Sequence, residues 1–190
     1  MMTEDYIYLD YAASTPVDPR VFDRRRECSA ATCANPASTL AAGRMSQDII
    51  ANAATQVADL LNIDPKTLIW TSGATESDNL AIAGGARYRA HRGKHIVTMR
   101  TEHKAVTDMF DTLAKDGFEV TWVDPGPTGL LDPAAFEAAL RDDTQFASIM
   151  FVNNETGVIQ DIEALGNICR QRDILFHVDA AQAVGKVRID

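Results

Sequence analysis

The sequence predicts an α/β fold, a doubly wound and mostly parallel sheet, on three observations. Short apolar runs alternate with helical patterns through most of the chain. The run Ile174 to Gln182, Ile-Leu-Phe-His-Val-Asp-Ala-Ala-Gln, suits a strand buried on both faces that breaks at Asp179, a carboxylate where open α/β sheets place ligands. Polar clusters follow the ends of other predicted strands in the same way. With 190 residues, 46% of them hydrophobic, the chain is long enough for one sizeable core and short for two complete domains.

Residues 6 to 20 open with a strand-like run, Tyr6-Ile-Tyr-Leu, and break into Pro-punctuated turns, which reads as an arm. A helix is expected over Pro19–Ala31. The stretch Asn35-Pro36-Ala37-Ser38 is irregular, because Pro36 pushes Asn35 out of helical geometry. Ser46 to Asn62 is helical by pattern, with Ile49, Ile50, Ala53, Val57, Leu60 and Leu61 on one stripe. Strands are then expected at Thr67–Ser72, His95–Met99, Phe118–Val123, Gln145–Val152 and Ile174–Val178. Helices are expected at Thr75–His91, Lys104–Lys115, Pro133–Leu140 and Asp161–Arg172, with right-handed crossovers. Gly84-Gly85 resists this pattern, since each glycine in a helix costs roughly 1 kcal/mol relative to alanine. Close packing against a neighbouring element would account for it. The division follows: residues 1–45 form an arm and helix, and residues 46–190 form the sheet domain.

A net charge of -9 argues against nucleic acid or an anionic membrane as the main partner, so an anionic ligand would need local donors. Cys28, Cys33 and Cys169 are an odd set with no Cys-x-x-Cys pair, which indicates neither a disulfide framework nor a metal site and points to a reduced, cytoplasmic setting. The start Met-Met-Thr-Glu-Asp is acidic, and no apolar run approaches membrane-spanning length.

The polar residues beyond the strands are Ser72-Gly73-Ala74-Thr75-Glu76, Thr101-Glu102-His103, Asn153-Asn154-Glu155, and Asp179 with Gln182. In a parallel sheet they gather at one edge. Gly73-Ala74-Thr75, where a strand turns into a helix, offers free backbone N–H groups to a phosphate, or is an ordinary helix cap. His103 could stack on a planar ligand or carry a proton, or be a bystander. Asn154 could meet a phenolic or carboxylate oxygen, or serve only its turn, and Gln182 could cap the turn after Asp179. Together these parts describe a ligand with a phosphate, a flat ring, a ring oxygen and a ring nitrogen that pairs with a carboxylate. Pyridoxal 5'-phosphate (PLP) fits. Its protonated ring nitrogen beside Asp179 would keep the ring an electron sink.

Five stretches carry a resemblance: Tyr8 to Arg20, Thr71-Ser-Gly-Ala-Thr-Glu-Ser-Asp-Asn-Leu80, Thr101-Glu-His-Lys-Ala-Val106, Val152-Asn-Asn-Glu-Thr-Gly157 and His177-Val-Asp-Ala-Ala-Gln182. On these the chain resembles the N-terminal half of the cysteine desulfurases of iron-sulfur cluster assembly, class V PLP enzymes of the aspartate aminotransferase fold (fold type I). The resemblance implies that Ala74 and Thr75 hold the phosphate and that His103 stacks on the ring and assists proton transfers. It implies that Asp179 pairs with the ring nitrogen, and that Asn154 and Gln182 lie against the phenolic oxygen and the substrate. It also implies conversion of L-cysteine to L-alanine, with a persulfide passed from an enzyme cysteine to a sulfur-acceptor or scaffold protein, by a homodimer.

The chain departs from the family where it stops. The lysine that bonds the cofactor, the persulfide cysteine and the substrate-carboxylate arginine are expected beyond Asp190, so the large domain is expected to be incomplete and this chain alone inactive. None of the three cysteines matches the nucleophile's position, and Lys186 matches a position outside the catalytic set. After Ser38 the chain reads Thr-Leu-Ala-Ala-Gly where the family usually carries a histidine. Selenocysteine lyase or another class V PLP enzyme, a split enzyme, and a non-enzymatic partner-binding remnant are the alternatives. An exposed apolar sheet edge is expected to leave the isolated chain marginally stable or self-associating.

Overall fold

The computed structural model describes residues 7–31 and 34–189, so Tyr6, Cys33 and Asp190 lie outside the described residues. The chain divides into two compact units, residues 1–70 with 188–190, and residues 71–187.

In the first unit, α1 (Pro19–Ala31) has the bounds expected for it. Proline at the helix start suits it, because the first turn needs no N–H there, and the carboxylate of Asp18 accepts from Arg20 N at 2.8 Å. The next helix, α2 (Ala41–Leu61), starts five residues earlier than the pattern suggests. Tertiary contact is the reason. Ser46 Oγ donates to Ala34 O at 3.0 Å, and Gly43 sits so close to the 34–38 loop that a Cβ there would lie 2.3 Å from Ser38 O. The expected stripe is half-buried at Ile49, Ala53, Val57 and Leu61 and exposed at Ile50 and Leu60. The helix ends at Asn62, whose φ of 53° is the left-handed cap conformation that asparagine tolerates.

The strand expected at Thr67–Ser72 does not form. Pro65–Thr67 is a 3-10 turn capped by Asp64, and the chain then runs extended with Ile69 72% and Trp70 56% exposed. Leu-Ile-Trp carries the β-propensity, but a strand exists only with a ladder partner, and among the described residues this run has none.

In the second unit, β1 (His95–Met99), β2 (Glu119–Val123), β3 (Thr144–Ser148) and β4 (Leu175–His177) alternate with α3 (Ala74–Arg89), α4 (Lys104–Lys115), α5 (Pro133–Ala138) and α6 (Ile162–Gln171). The four strands are parallel, in the order β2-β1-β3-β4. Side-chain alternation sends neighbouring residues to opposite faces. Ile96 and Phe146 pack with Ile82 and Ala86 of α3 and Val106, Phe110 and Leu113 of α4. Val97, Met99 and Ala147 pack with Phe136 of α5 and Leu165 and Cys169 of α6. The sheet is doubly wound, as expected. Because α4 leaves β1 for one face and α6 leaves β3 for the other, the topological switch point lies between β1 and β3.

Gly85 is explained by a close approach: a Cβ there would lie 2.7 Å from Phe146 Cε2 and 3.0 Å from Leu175 Cδ2, so α3 seats directly on β3 and β4. Gly84 has open space around it, and no contact accounts for it. One burial expectation is corrected. β1 and β3 are buried throughout, whereas β4 lies at the sheet edge and is only half-buried, with Leu175 38% exposed.

Candidate functional site

Four segments of the second unit meet at the carboxyl ends of the strands, and named hydrogen bonds tie them together. Glu102, after β1, accepts from Met150 N, after β3, at 2.8 Å. Asn153 Nδ2 donates to Thr101 O at 2.9 Å across the same gap. Phe151 N donates to Asp179 O at 2.9 Å, which joins the β3 and β4 ends. Asp78, one turn into α3, lies 3.7 Å from His177 Nε2 at the end of β4.

Helix starts differ in a way that bears on anion binding. In α4, α5 and α6 a side chain of the N-cap residue accepts a backbone N–H: His103 from Ala105 N, Asp132 from Ala134 N, and Asp161 from Ala164 N. In α3 the N-cap is Gly73, which supplies no side-chain cap, and a Cβ there would meet nothing within 4 Å. Glu76 turns its carboxylate back to Ser72, accepting from Ser72 N at 2.8 Å and from Ser72 Oγ at 2.5 Å. This leaves the positive end of α3 at Ala74 and Thr75, both exposed, without a side-chain acceptor from its own cap.

His103 is exposed, and its ring is oriented by the cap: Nδ1 accepts from Ala105 N at 3.1 Å, which places the ring proton on Nε2. Asp179 is buried, and one carboxylate oxygen accepts from Ala181 N at 2.9 Å. Asp179 therefore also caps the turn that follows it, which occupies that oxygen. Half-buried Asn154 donates to Glu155 Oε1 at 2.9 Å, and half-buried Gln182 accepts from Lys186 Nζ at 2.7 Å. The turn after β3 is organised by Asn153, whose Oδ1 accepts from Glu155 N and Thr156 N at 3.0 and 2.8 Å.

Burial sets the electrostatics. Desolvation, followed by the nearby charge of Asp179, pushes Asp78 up to about 7. Desolvation pushes Glu102 up to about 8, against the Met150 N–H and with the charges of Asp179 and Asp78. Burial drives His177 down to about 4, against the pull of Asp179. Asp78 and His177 are thus both driven toward their neutral forms, which agrees with a spacing longer than a hydrogen bond. His177 is held by Ser148 Oγ at 2.8 Å from Nδ1. Two carboxyl oxygens in this group, Asp78 Oδ2 and Glu102 Oε2, are buried with no hydrogen-bond partner. Such orphans are costly, and they mark a place where a partner is missing or function outweighs stability.

Sequence reasoning assigned no role to Asp78, Glu102, Asn153 or His177. Asp78 was detectable, because with Ile82 and Ala86 it makes an i, i+4, i+8 stripe on α3, and a carboxyl on a buried stripe is anomalous. Glu102 carried no comparable signal. Elsewhere, a groove of about 480 Å³ along α1 is lined by Asp18, Arg20, Val21, Arg24, Arg25 and Cys28. Its walls come from one exposed helix and the residue before it, and Asp18 is already paired with Arg20. It does not rival the strand-end site. Cys169 is buried, which pushes its thiol up to about 12 and away from reactivity. Among the described residues, no cluster of potential metal ligands occurs and no helix is long and apolar enough to cross a membrane.

Fold and site define the class: a doubly wound α/β domain with an uncapped helix start and a buried carboxylate together at the strand ends. The chain belongs to the class-V aminotransferase family, PLP enzymes whose family model matches residues 7–190. It is 56% identical over 187 residues to cysteine desulfurase IscS of Stutzerimonas stutzeri, covering 97% of this chain and 46% of that protein. Against cysteine desulfurase IscS of Methylococcus capsulatus the identity is 54% over 185 residues, with 46% of that protein covered. The chain spans about half the length of the curated relatives it matches. Among solved structures, SspA in complex with cysteine superposes with a TM-score of 0.92 at 39% identity, over 96% of this chain and 53% of that one. A NifS-like protein superposes at 0.93 with 33% identity, over 97% and 51%.

Proposed function

We propose that residues 71–187 form the cofactor cradle of a PLP-dependent cysteine desulfurase acting on L-cysteine. The observation that carries this is the pairing of an α3 start without a side-chain cap with buried Asp179 at the carboxyl edge of the sheet. In this reading the amides of Ala74 and Thr75 receive the phosphate, where the helix dipole favours negative charge. Asp179, with one oxygen engaged by Ala181 N, offers its carboxylate to the ring nitrogen. His103 lies with its ring held by the α4 cap, Nε2–H directed away from that bond, ready to stack and to exchange a proton at Nε2. Asn154, whose amide donates to Glu155, and Gln182, which accepts from Lys186, are the side chains assigned to the cofactor's phenolic oxygen and the substrate.

When bound, PLP supplies an electron sink for carbanion chemistry at the substrate. The residues present fit such a group, because exposed backbone amides at a helix start without a side-chain cap suit a phosphate and the buried carboxylate of Asp179 suits a protonated ring nitrogen. SspA is a relative that was solved with cysteine, which supports the substrate class. Sulfur transfer to an acceptor or scaffold protein, a homodimer, a cytosolic setting, and a cofactor domain over residues 46–190 preceded by an arm complete the reading.

The test is a fluorescence titration with pyridoxine 5'-phosphate, which lacks the aldehyde that reacts with surface lysines. Asp179→Asn keeps the shape and the bond to Ala181 N while removing the charge. Affinity is expected to fall by about tenfold or more, the value of a charge-assisted bond. An unchanged affinity in D179N would remove Asp179 from the site.

A further inference from the structure

Glu102 is the buried acid that the proposed chemistry leaves unused. It follows β1, directly precedes His103, and is 8% exposed. Its Oε1 accepts from Met150 N at 2.8 Å, a bond that spans the switch point, while its Oε2 meets no partner. Asn153 Nδ2 straps Thr101 O across the same gap, so the two loops are joined at two points. Among the described residues, no other side-chain hydrogen bond joins the loop after β1 to the loop after β3.

We propose that Glu102 is a positioning residue: its buried carboxyl latches the loop after β1 to the loop after β3 and thereby sets His103 at the mouth of the site. His103 is the N-cap of α4, so its backbone position is fixed from one side by the helix and from the other by the residue that reaches across to Met150. The latch works as a neutral acid. The charges that bear on Glu102 are Asp179 after β4 and Asp78 on α3, both of its own sign, and His177 of β4 is itself kept uncharged by burial. With no cation among the described residues bearing on it, the carbonyl oxygen takes the Met150 N–H and the proton stays on Oε2.

The importance of this latch for cofactor binding rests on the PLP reading, but the latch itself does not. Two variants separate them. Glu102→Gln keeps a carbonyl acceptor and a neutral donor; Glu102→Met fills the volume and removes the acceptor. In the whole chain, amide hydrogen exchange at Met150 is expected to stay within about threefold of the parent in E102Q and to quicken by about tenfold or more in E102M, the loss of one buried hydrogen bond. The infrared C=O band of a protonated carboxyl is expected at neutral pH and should weaken in E102Q. Affinity for pyridoxine 5'-phosphate should follow the exchange data, kept in E102Q and lost in E102M.

Parent-like Met150 exchange in E102M overturns the latch. So does an E102Q variant as damaged as E102M, since that would mean the site requires the anion. If E102M does not fold, E102Q and the infrared band still decide. Should D179N leave affinity unchanged while Met150 responds as expected, the PLP reading fails and the latch stands.

Discussion

Two sets of buried polar side chains, His95 at the amino edge of the sheet and Asp78 with Glu102 at the carboxyl edge, are satisfied to different degrees. At the amino edge, His95 is wholly buried, and both ring nitrogens are engaged: Nδ1 with Thr144 Oγ1 at 2.6 Å and Nε2 with Thr121 Oγ1 at 2.7 Å. One side chain on β1 thereby pins β2 and β3. At the carboxyl edge, Asp78 and Glu102 are also buried, at 4% and 8% exposure, and each leaves an oxygen unpartnered. A fully satisfied polar group specifies the fold, whereas an unsatisfied one is retained only where something else requires it. His95 thus serves stability, whereas Asp78 and Glu102 lie where a ligand is proposed; Gln145 Oε1 and Arg89 Nε are buried without a partner as well, away from that site.

The largest effect that sharpens this contrast is at His95. Replacing it by alanine leaves two threonine hydroxyls and a cavity at the amino edge, and a loss of about 3 kcal/mol is expected in urea denaturation. Ligand affinity should be unchanged in H95A at temperatures where it remains folded. A shift in affinity would break the separation of the edges.

Next in size is the dependence of stability on pH, for which the edges have opposite signs. Glu102 and Asp78 bind protons more tightly folded than unfolded. Their stabilising contribution is therefore full below the ordinary carboxylate range and is lost as pH rises through about 7 and 8. His95 is lowered, first by burial and then by the charge of Arg141, so its contribution is full above about 6.5 and is lost on acidification below that value. E102Q is expected to flatten the alkaline limb between pH 5 and 8 while leaving the acid limb in place. An unaltered alkaline limb in thermal melts of E102Q would show that Glu102 does not carry it.

The smallest effect lies at the helix start. Gly73 is extended, with φ of 162° and room for a side chain, so Gly73→Asp introduces no strain and installs on α3 the cap that α5 and α6 already have. Stability is expected to rise by about 0.5–1 kcal/mol. Affinity for an anionic ligand should fall in the same variant. A stabilised G73D that bound the ligand normally would move the phosphate elsewhere.

How far the sequence disclosed this follows from the range of the forces involved. Local rules were sufficient for α1, α4 and β1, whose bounds match, because caps, periodicity and β-branched runs act within a few residues. Asp179 was visible because a carboxylate ends an apolar run. Thr67–Ser72 misled because strand formation depends on a partner that propensity does not encode. The early start of α2 and the glycine at position 85 each depend on a non-local contact, to the 34–38 loop and to Phe146. Glu102 was quoted among the strand-end polar residues and given no task, since only its bond to Met150, 48 positions away, reveals it as a buried latch.

Of all measurements, amide chemical-shift mapping with pyridoxine 5'-phosphate tests the ligand edge most directly. Shifts confined to residues 73–76, 102–103, 150–154 and 179–182 are the expected result, with His95, Thr121 and Thr144 unmoved. Shifts centred on those three residues, or spread evenly over both edges, would contradict the assignment of the carboxyl edge as the cofactor seat.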